Sequence, residues 1–217
     1  MRFTLIYDGP LPAQSAHDSR VPEKHDIRQQ FHAQLEDLWA NHPALRDKFN
    51  EWKASEAYRL QGKKLPYEMT LTGNPETGPA HTASPAQIIE PRQVGATRFI
   101  ALIADHTSLL CELDVLFLRK EPKGHLVNQA GDLDNRIKVL FDALRMPASD
   151  AEIPNGVTLP DPFFCLLEDD RLIIRVNIAS ERLLEGTVST SKNHVRLVIN
   201  VTTRADRLNW LNLGIAE

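Results

Sequence analysis

We expect the rest of the chain to be organised around the stretch GDLDNRIKVLFDAL, residues 131–144. Its apolar residues recur at the i, i+3, i+4, i+7 spacing of one buried helix face, and they are Ile137, Leu140, Phe141 and Leu144. Its polar residues fall on another face of the same helix, and they are Asp134, Lys138, Asp142 and Arg145, with Asn135 at the margin. Asp132 is a natural N-cap, so two carboxylates stand where the helix begins. A packed helix with acids at its start could hold a divalent cation.

The composition is that of an ordinary globular protein. The chain has 217 residues, of which 42% are hydrophobic and 25% are charged. No run of the sequence reaches the length of a membrane span, and the apolar start at Met1–Tyr7 is too short for a signal peptide. We therefore expect a soluble, cytoplasmic protein that does not enter a membrane. The formal charge of −4 argues against coating nucleic acid by bulk charge, but it leaves room for a local basic surface around an acidic pocket.

The two cysteines are expected to be buried and reduced. Cys111 and Cys165 each lie in an apolar run, and neither has a partner at CxxC spacing. A cytoplasmic protein keeps such thiols reduced, so neither a disulfide nor a cysteine zinc site is expected.

The order of the predicted elements indicates an α+β fold, with helices packed on one mixed sheet. One helix is expected from an N-cap at Asp26 to about Asn41, and a second begins at Pro43. The β-rich runs are Arg2–Tyr7, Arg98–Ala104, Leu109–Arg119, Phe163–Leu167, Arg171–Ala179 and His194–Thr203. Residues 105–108 between the second and third runs predict a hairpin. We expect a single domain over residues 1–217, with a proline-rich excursion at 63–97 and an insertion at 147–162.

The carboxylates are the most informative polar residues. A second acidic cluster, Glu168-Asp169-Asp170, ends an apolar run downstream of the helix. Mg²⁺ prefers oxygen ligands and takes carboxylates together with phosphate oxygens, which suits hydrolysis of a phosphodiester. Lys138, one turn after Asp134, could neutralise charge on the phosphate. Taken alone, however, aspartates at a helix start are usually caps, an acidic triplet after a strand is usually a solvated turn, and a lysine on a polar face is usually surface charge.

Other catalytic chemistries lack their motifs in this sequence. The eight histidines form no HxxxH or HxH pair. There is no GxSxG elbow for a serine nucleophile and no glycine-rich phosphate loop.

The helix and the downstream acids together resemble the RusA family of Holliday-junction resolvases. The hallmark of that family is a D-x-D-N-x-x-K helix that continues into F-D-A-L, which here reads Asp132, Asp134, Asn135 and Lys138, followed by residues 141–144. The third metal-binding acid of the family ends a D-D pair. This implies Asp170 here, with Asp169 as the alternative.

The resemblance implies a RusA-like fold and an Mg²⁺-dependent endonuclease, with Mn²⁺ as an alternative metal, that resolves four-way DNA junctions as a homodimer. Asp132, Asp134 and Asp170 would be metal ligands, and Lys138 would assist at the phosphate. Basic residues that could contact the DNA backbone are Arg119, Lys120, Lys123, Arg136, Arg171 and Arg175. The competing hypothesis is a DNA- or protein-binding module that keeps the fold without cutting.

Overall fold

The structure is a computed structural model that describes residues 1–15, 19–61, 88–119, 130–184 and 193–216. Within the third helix it gives the backbone, but not the side chains, of residues 130–132. Most of the proline-rich excursion, residues 63–87, lies outside the described residues, as do Lys120 and Lys123.

The described ranges contain three α-helices and seven β-strands. The helices are α1 (Val21–Asn41), α2 (Pro43–Leu60) and α3 (Ala130–Leu144). The strands are β1 (Arg2–Pro10), β2 (Arg92–Val94), β3 (Thr97–Ile103), β4 (Leu109–Arg119), β5 (Phe163–Leu167), β6 (Ile173–Arg182) and β7 (His194–Ala205). The α+β fold class is therefore confirmed, and the predicted strands appear within a few residues of their expected bounds.

The strands form two sheets rather than the one that we expected. The first sheet has the order β1-β7-β4-β6, in which β7 is antiparallel to both its neighbours and β6 is parallel to β4. The second sheet has the order β2-β3-β5, with β3 parallel to β5. Residues 92–94, which we assigned to the irregular excursion, supply its edge strand.

The predicted hairpin between β3 and β4 is wrong for a structural reason. Each strand is the interior member of its own sheet, so both of its edges are already paired, β3 with β2 and β5, and β4 with β7 and β6. Of the five residues between them, Asp105–Thr107 form a one-turn 3₁₀ helix, and Ser108 follows in the left-handed conformation. The turn therefore carries the chain from one sheet to the other instead of folding it back.

Helix α1 packs against one edge strand of each sheet, β1 and β5, and its apolar stripe follows the helical period. Ile27, Phe31, Leu35 and Trp39 are all buried, as their spacing predicts. The helix begins at Val21, five residues before the predicted cap at Asp26, with proline in its first turn.

Helix α2 buries Leu45, Phe49 and Trp52, again as predicted. Both thiols are also buried and free, as we expected for Cys111 and Cys165. Burial raises the pKa of each to about 12.

Candidate metal centre

Helix α3 is the best-anchored element near the predicted acids. It begins at Ala130, so Asp132 is inside its first turn and is not the N-cap that we predicted. The predicted stripe is buried at Ile137, Leu140 and Leu144, and Phe141 packs against the same core.

The first half of α3 is fixed by the buried side chain of Arg136. Its Nη1 donates to the carbonyl oxygen of Leu11 at 3.1 Å, and its Nη2 donates to Oδ1 of Asn193 at 3.2 Å. The backbone N–H of Gln14 also donates to the carbonyl oxygen of Asn135 at 3.4 Å. This half of α3 is therefore held where β1 ends and β7 begins.

The last turn of α3 is fixed by a buried guanidinium from α1. Arg28 is 1% exposed, and it donates from Nη2 to the carbonyl oxygen of Asp142 at 2.9 Å and from Nε to that of Arg145 at 3.3 Å. These are carbonyls at a helix C-terminus, where a cation is favourable. Lys24 adds an ion pair to the carboxylate of Asp142 at 2.6 Å, and the N–H of Met146 donates to Leu167 of β5 at 2.9 Å.

Asp134 and Lys138 project from α3 on its exposed side, as the sequence pattern predicts. Neither side chain forms a hydrogen bond or an ion pair with another described residue. Asp142 and Arg145, which we placed on the same face, are instead engaged with each other at 3.0 Å and with Lys24 and Glu152. The polar face thus divides into an open first half and an ion-paired second half.

The downstream acids lie at a one-turn 3₁₀ helix, Asp170–Leu172, which we call the Asp170 turn. Asp169 is its N-cap and accepts a hydrogen bond from the N–H of Arg171 at 3.0 Å. Glu168 accepts from the N–H of Asp105 at 3.0 Å. The carboxylate of Asp170 is exposed and has no such commitment among the described residues. Of the three acids, Asp170 is therefore the one whose carboxylate accepts no hydrogen bond from a described residue.

The Asp170 turn packs against α3. The two elements are in direct contact, and Leu172 of the turn belongs to the same buried cluster as Ile137 and Leu140 of the helix. In the described part of the chain, no group of three or more His, Cys, Asp or Glu side chains is placed to hold a metal ion. The side chain of Asp132, which the predicted set requires, is outside that part. Carboxylates as donors nonetheless fit Mg²⁺ by their chemistry.

The predicted DNA contacts differ in their exposure. Arg119 and Arg136 are each 8% exposed, so neither offers its guanidinium to a phosphate at the surface. Arg171 and Arg175 have side chains that are 65% and 57% exposed. Arg171 pairs with Asp105 and Asp169.

Sequence reasoning missed an open polar cleft of about 510 Å³ on the outer face of the first sheet. Arg175 pairs there with Glu112 at 2.9 Å and with Asp114 at 3.5 Å. Arg204 also binds Glu112, and this hydrogen bonding holds the pKa of the glutamate below its ordinary value. The signal was the i, i+2 spacing of the two acids in β4, which places both on one face of a strand.

Two buried histidines of α1 were also missed. The imidazole of His25 is 3% exposed, neither of its ring nitrogens has a hydrogen-bond partner among the described residues, and burial lowers its pKa. His32 is buried beside Phe163 and accepts the N–H of Phe164 at Nδ1, 2.9 Å away. No sequence motif predicted that either histidine would be buried.

Comparisons of this chain with models of protein families, with curated proteins and with solved structures find no match. None of the helices in the described ranges has the length and apolar character needed to span a membrane.

Proposed function

We propose that this protein is an Mg²⁺-dependent, structure-selective DNA endonuclease that resolves four-way junctions by symmetric phosphodiester hydrolysis. Asp132, Asp134 and Asp170 are the proposed ligands of Mg²⁺ or Mn²⁺. The observation that carries the proposal is the packing of the Asp170 turn against α3, with uncommitted carboxylates at Asp134 and Asp170. The sequence resemblance to RusA resolvases supplies the reaction.

The donor set suits a hard cation. Carboxylate oxygens are the ligands that Mg²⁺ takes, together with phosphate oxygens and water. A bound Mg²⁺ would supply an activated water and stabilise the leaving oxygen. Between the two candidate aspartates of the downstream pair, the capping bond of Asp169 favours Asp170 as the ligand.

Lys138 is proposed to act on the phosphate directly. Its ammonium lies one turn after Asp134 on the exposed side of a helix that is fixed at both halves. An ammonium held in this way can neutralise charge that develops on a phosphate without a reorganisation of the backbone.

Arg171 and Arg175 are the proposed contacts to the DNA backbone among the described residues. Their carboxylate pairs are on the surface, and such pairs are worth about 0 to 1 kcal/mol each. Replacing the carboxylate partner of either arginine with a DNA phosphate therefore costs little free energy. A four-way junction needs two symmetric cuts, so we further propose that the protein acts as a homodimer with two sites.

A cleavage assay tests the proposal. A labelled four-way junction is incubated with the protein and either Mg²⁺ or EDTA, alongside Asp134→Asn, Asp170→Asn and Asp169→Asn variants. We expect symmetric nicks that require Mg²⁺ and that fall by a factor of about 100 or more in the Asp134→Asn and Asp170→Asn variants. A larger loss in Asp169→Asn than in Asp170→Asn would transfer the ligand role to Asp169.

Asp47→Asn is the matched control, because that carboxylate is 76% exposed on α2 and should leave the cleavage rate unchanged. Thermal unfolding with Mn²⁺ adds a readout without DNA, since stabilisation by the metal should disappear with the carboxylates. A shifted junction band without any cutting would refute the nuclease and support the non-catalytic binding module.

A further inference from the structure

The outer edges of two strands are covered by side chains from α1. The side-chain amide of Gln34 accepts from the N–H of Ile6 in β1 at 2.8 Å and donates to the carbonyl of the same residue at 2.7 Å. His32 accepts from the N–H of Phe164 in β5 at 2.9 Å. At these residues a side chain takes the place of a neighbouring strand's backbone, which opposes pairing with another chain there.

The outer edge of β6 has no such cover among the described residues. β6 is ten residues long, and within the described ranges the strand that pairs with it is β4, at its inner edge. It carries exposed apolar side chains, with Ile174 at 53% and Val176 at 38% exposure. An unpaired strand of this length with exposed β-branched residues favours pairing with a further strand.

We propose that β6 pairs antiparallel with β6 of a second copy, which joins the first sheets of two chains into one. A two-fold axis perpendicular to the sheet relates the strands, so facing residues point to the same side of the sheet. The register centred on Ile178 places Arg175 opposite Glu181 of the partner subunit, and the symmetry repeats this pair. Arg175 is exposed and pairs with Glu112 and Asp114 within its own sheet, so its guanidinium would lie between those acids and the partner's Glu181.

The charge pattern selects this register over its neighbours. Centring on Asn177 would set Arg175 opposite an alanine, and centring on Val176 would set it opposite an asparagine. Charges on an edge strand often serve to repel other strands. Here the charges are opposite in sign and equally spaced about Ile178, so in antiparallel pairing they attract. The bulge in β6 lies near Ile174, at one end of the strand, and leaves the rest regular.

This surface deepens the proposed homodimer, which rests on the proposed function, but the surface itself is argued without reference to DNA. Ile173 directly follows the Asp170 turn and would face Leu183 of the partner subunit. The two turns would then lie at opposite ends of the paired strands, roughly 34 Å apart at 3.4 Å per residue. One dimer would present two candidate sites related by a two-fold axis.

Cysteine cross-linking tests both the surface and the register. In an Ile178→Cys variant, two thiols face each other across the axis, within the range of a disulfide. We expect mild oxidation of the folded protein to give a covalent dimer. The matched control is Ala179→Cys, which is exposed on the same strand but does not face itself in this register. The native thiols at Cys111 and Cys165 are buried and stay out of the reaction.

Charge exchange is the second test, with sedimentation as the readout and no DNA present. Glu181→Arg should weaken the dimer about tenfold to a hundredfold, and Glu181→Gln should weaken it less, because the glutamine removes the attraction without adding repulsion. Asp47→Arg on α2 is the control for added charge. Circular dichroism verifies that each variant is folded.

Distinct results would overturn the inference. Cross-linking of Ala179→Cys as readily as Ile178→Cys would refute the register. A native chain that sediments as a monomer at about 100 µM would refute the interface. A dimer that forms through β6 without cutting any junction would sustain the interface while the proposed nuclease fails.

Discussion

Replacing Arg28 with methionine should destabilise the protein by about 3 kcal/mol, because it removes two hydrogen bonds at the end of α3. The donors are Nη2 and Nε, and the acceptors are the carbonyl oxygens of Asp142 and Arg145 at 2.9 and 3.3 Å. Hydrogen bonds from a charged donor contribute about 1.5 to 3 kcal/mol each. The methionine variant no longer buries a charged guanidinium, and this gain offsets part of the free energy lost with the two hydrogen bonds. Methionine refills the volume, so the loss reports on the hydrogen bonds and not on a cavity.

Urea unfolding measures the change, and calorimetry should show a fall in Tm of roughly 6 to 12 °C for a chain of this size. Arg28→Lys keeps the charge but not the planar fork, and it should lose an intermediate amount. Arg46→Met is the matched control, since Arg46 is 54% exposed and should change stability by less than about 0.5 kcal/mol. A loss below about 1 kcal/mol in Arg28→Met, or native stability in Arg28→Lys, would refute the reasoning.

Two further changes test the contacts made by α1. Gln34→Leu leaves backbone groups of β1 without their side-chain partner and should cost about 1 to 2 kcal/mol in urea unfolding, whereas the exposed Gln29→Leu should cost little. His25 and His32 both have a pKa lowered below 6.5 by burial, so the unfolded chain binds more protons than the native one as the pH falls below that value. The free energy of unfolding should therefore be greatest above about pH 7 and should fall toward pH 5.5. Replacing His32 with asparagine should reduce this pH dependence. An unchanged pH dependence in that variant would show that His32 does not cause it.

Helices and strands could be predicted from the sequence where burial follows a simple period. The stripe from Ile27 to Trp39 repeats every four residues, and β4 and the first half of β7 bury every second residue, although β6 of the same sheet shows no such alternation. The pairing of those strands was not predictable in the same way. β3 and β4 are separated by only a short turn, but which strand lies beside each depends on contacts that are distant in the sequence.

The burial of individual charged residues near the candidate site could not be predicted from the sequence. From the sequence alone, Arg136 was a candidate DNA contact. In the fold its side chain is buried and donates hydrogen bonds to Leu11 and Asn193. Arg28 lies within an apolar stripe of the sequence, and no pattern there predicted its role. In the structure it holds the C-terminal end of α3. Burial of a long polar side chain is decided by the carbonyl groups that it reaches, and those come from other parts of the chain.

The amide of Gln34 has a consequence for how many chains can join. If both margins of the first sheet could accept a neighbour, each added subunit would expose a fresh margin, and the array would lengthen without limit. Gln34 binds the outward N–H and carbonyl of Ile6 and so opposes pairing at the outer edge of β1, whereas the proposed pairing would use up the outer edge of β6. Under the proposed pairing, assembly would therefore stop at two subunits.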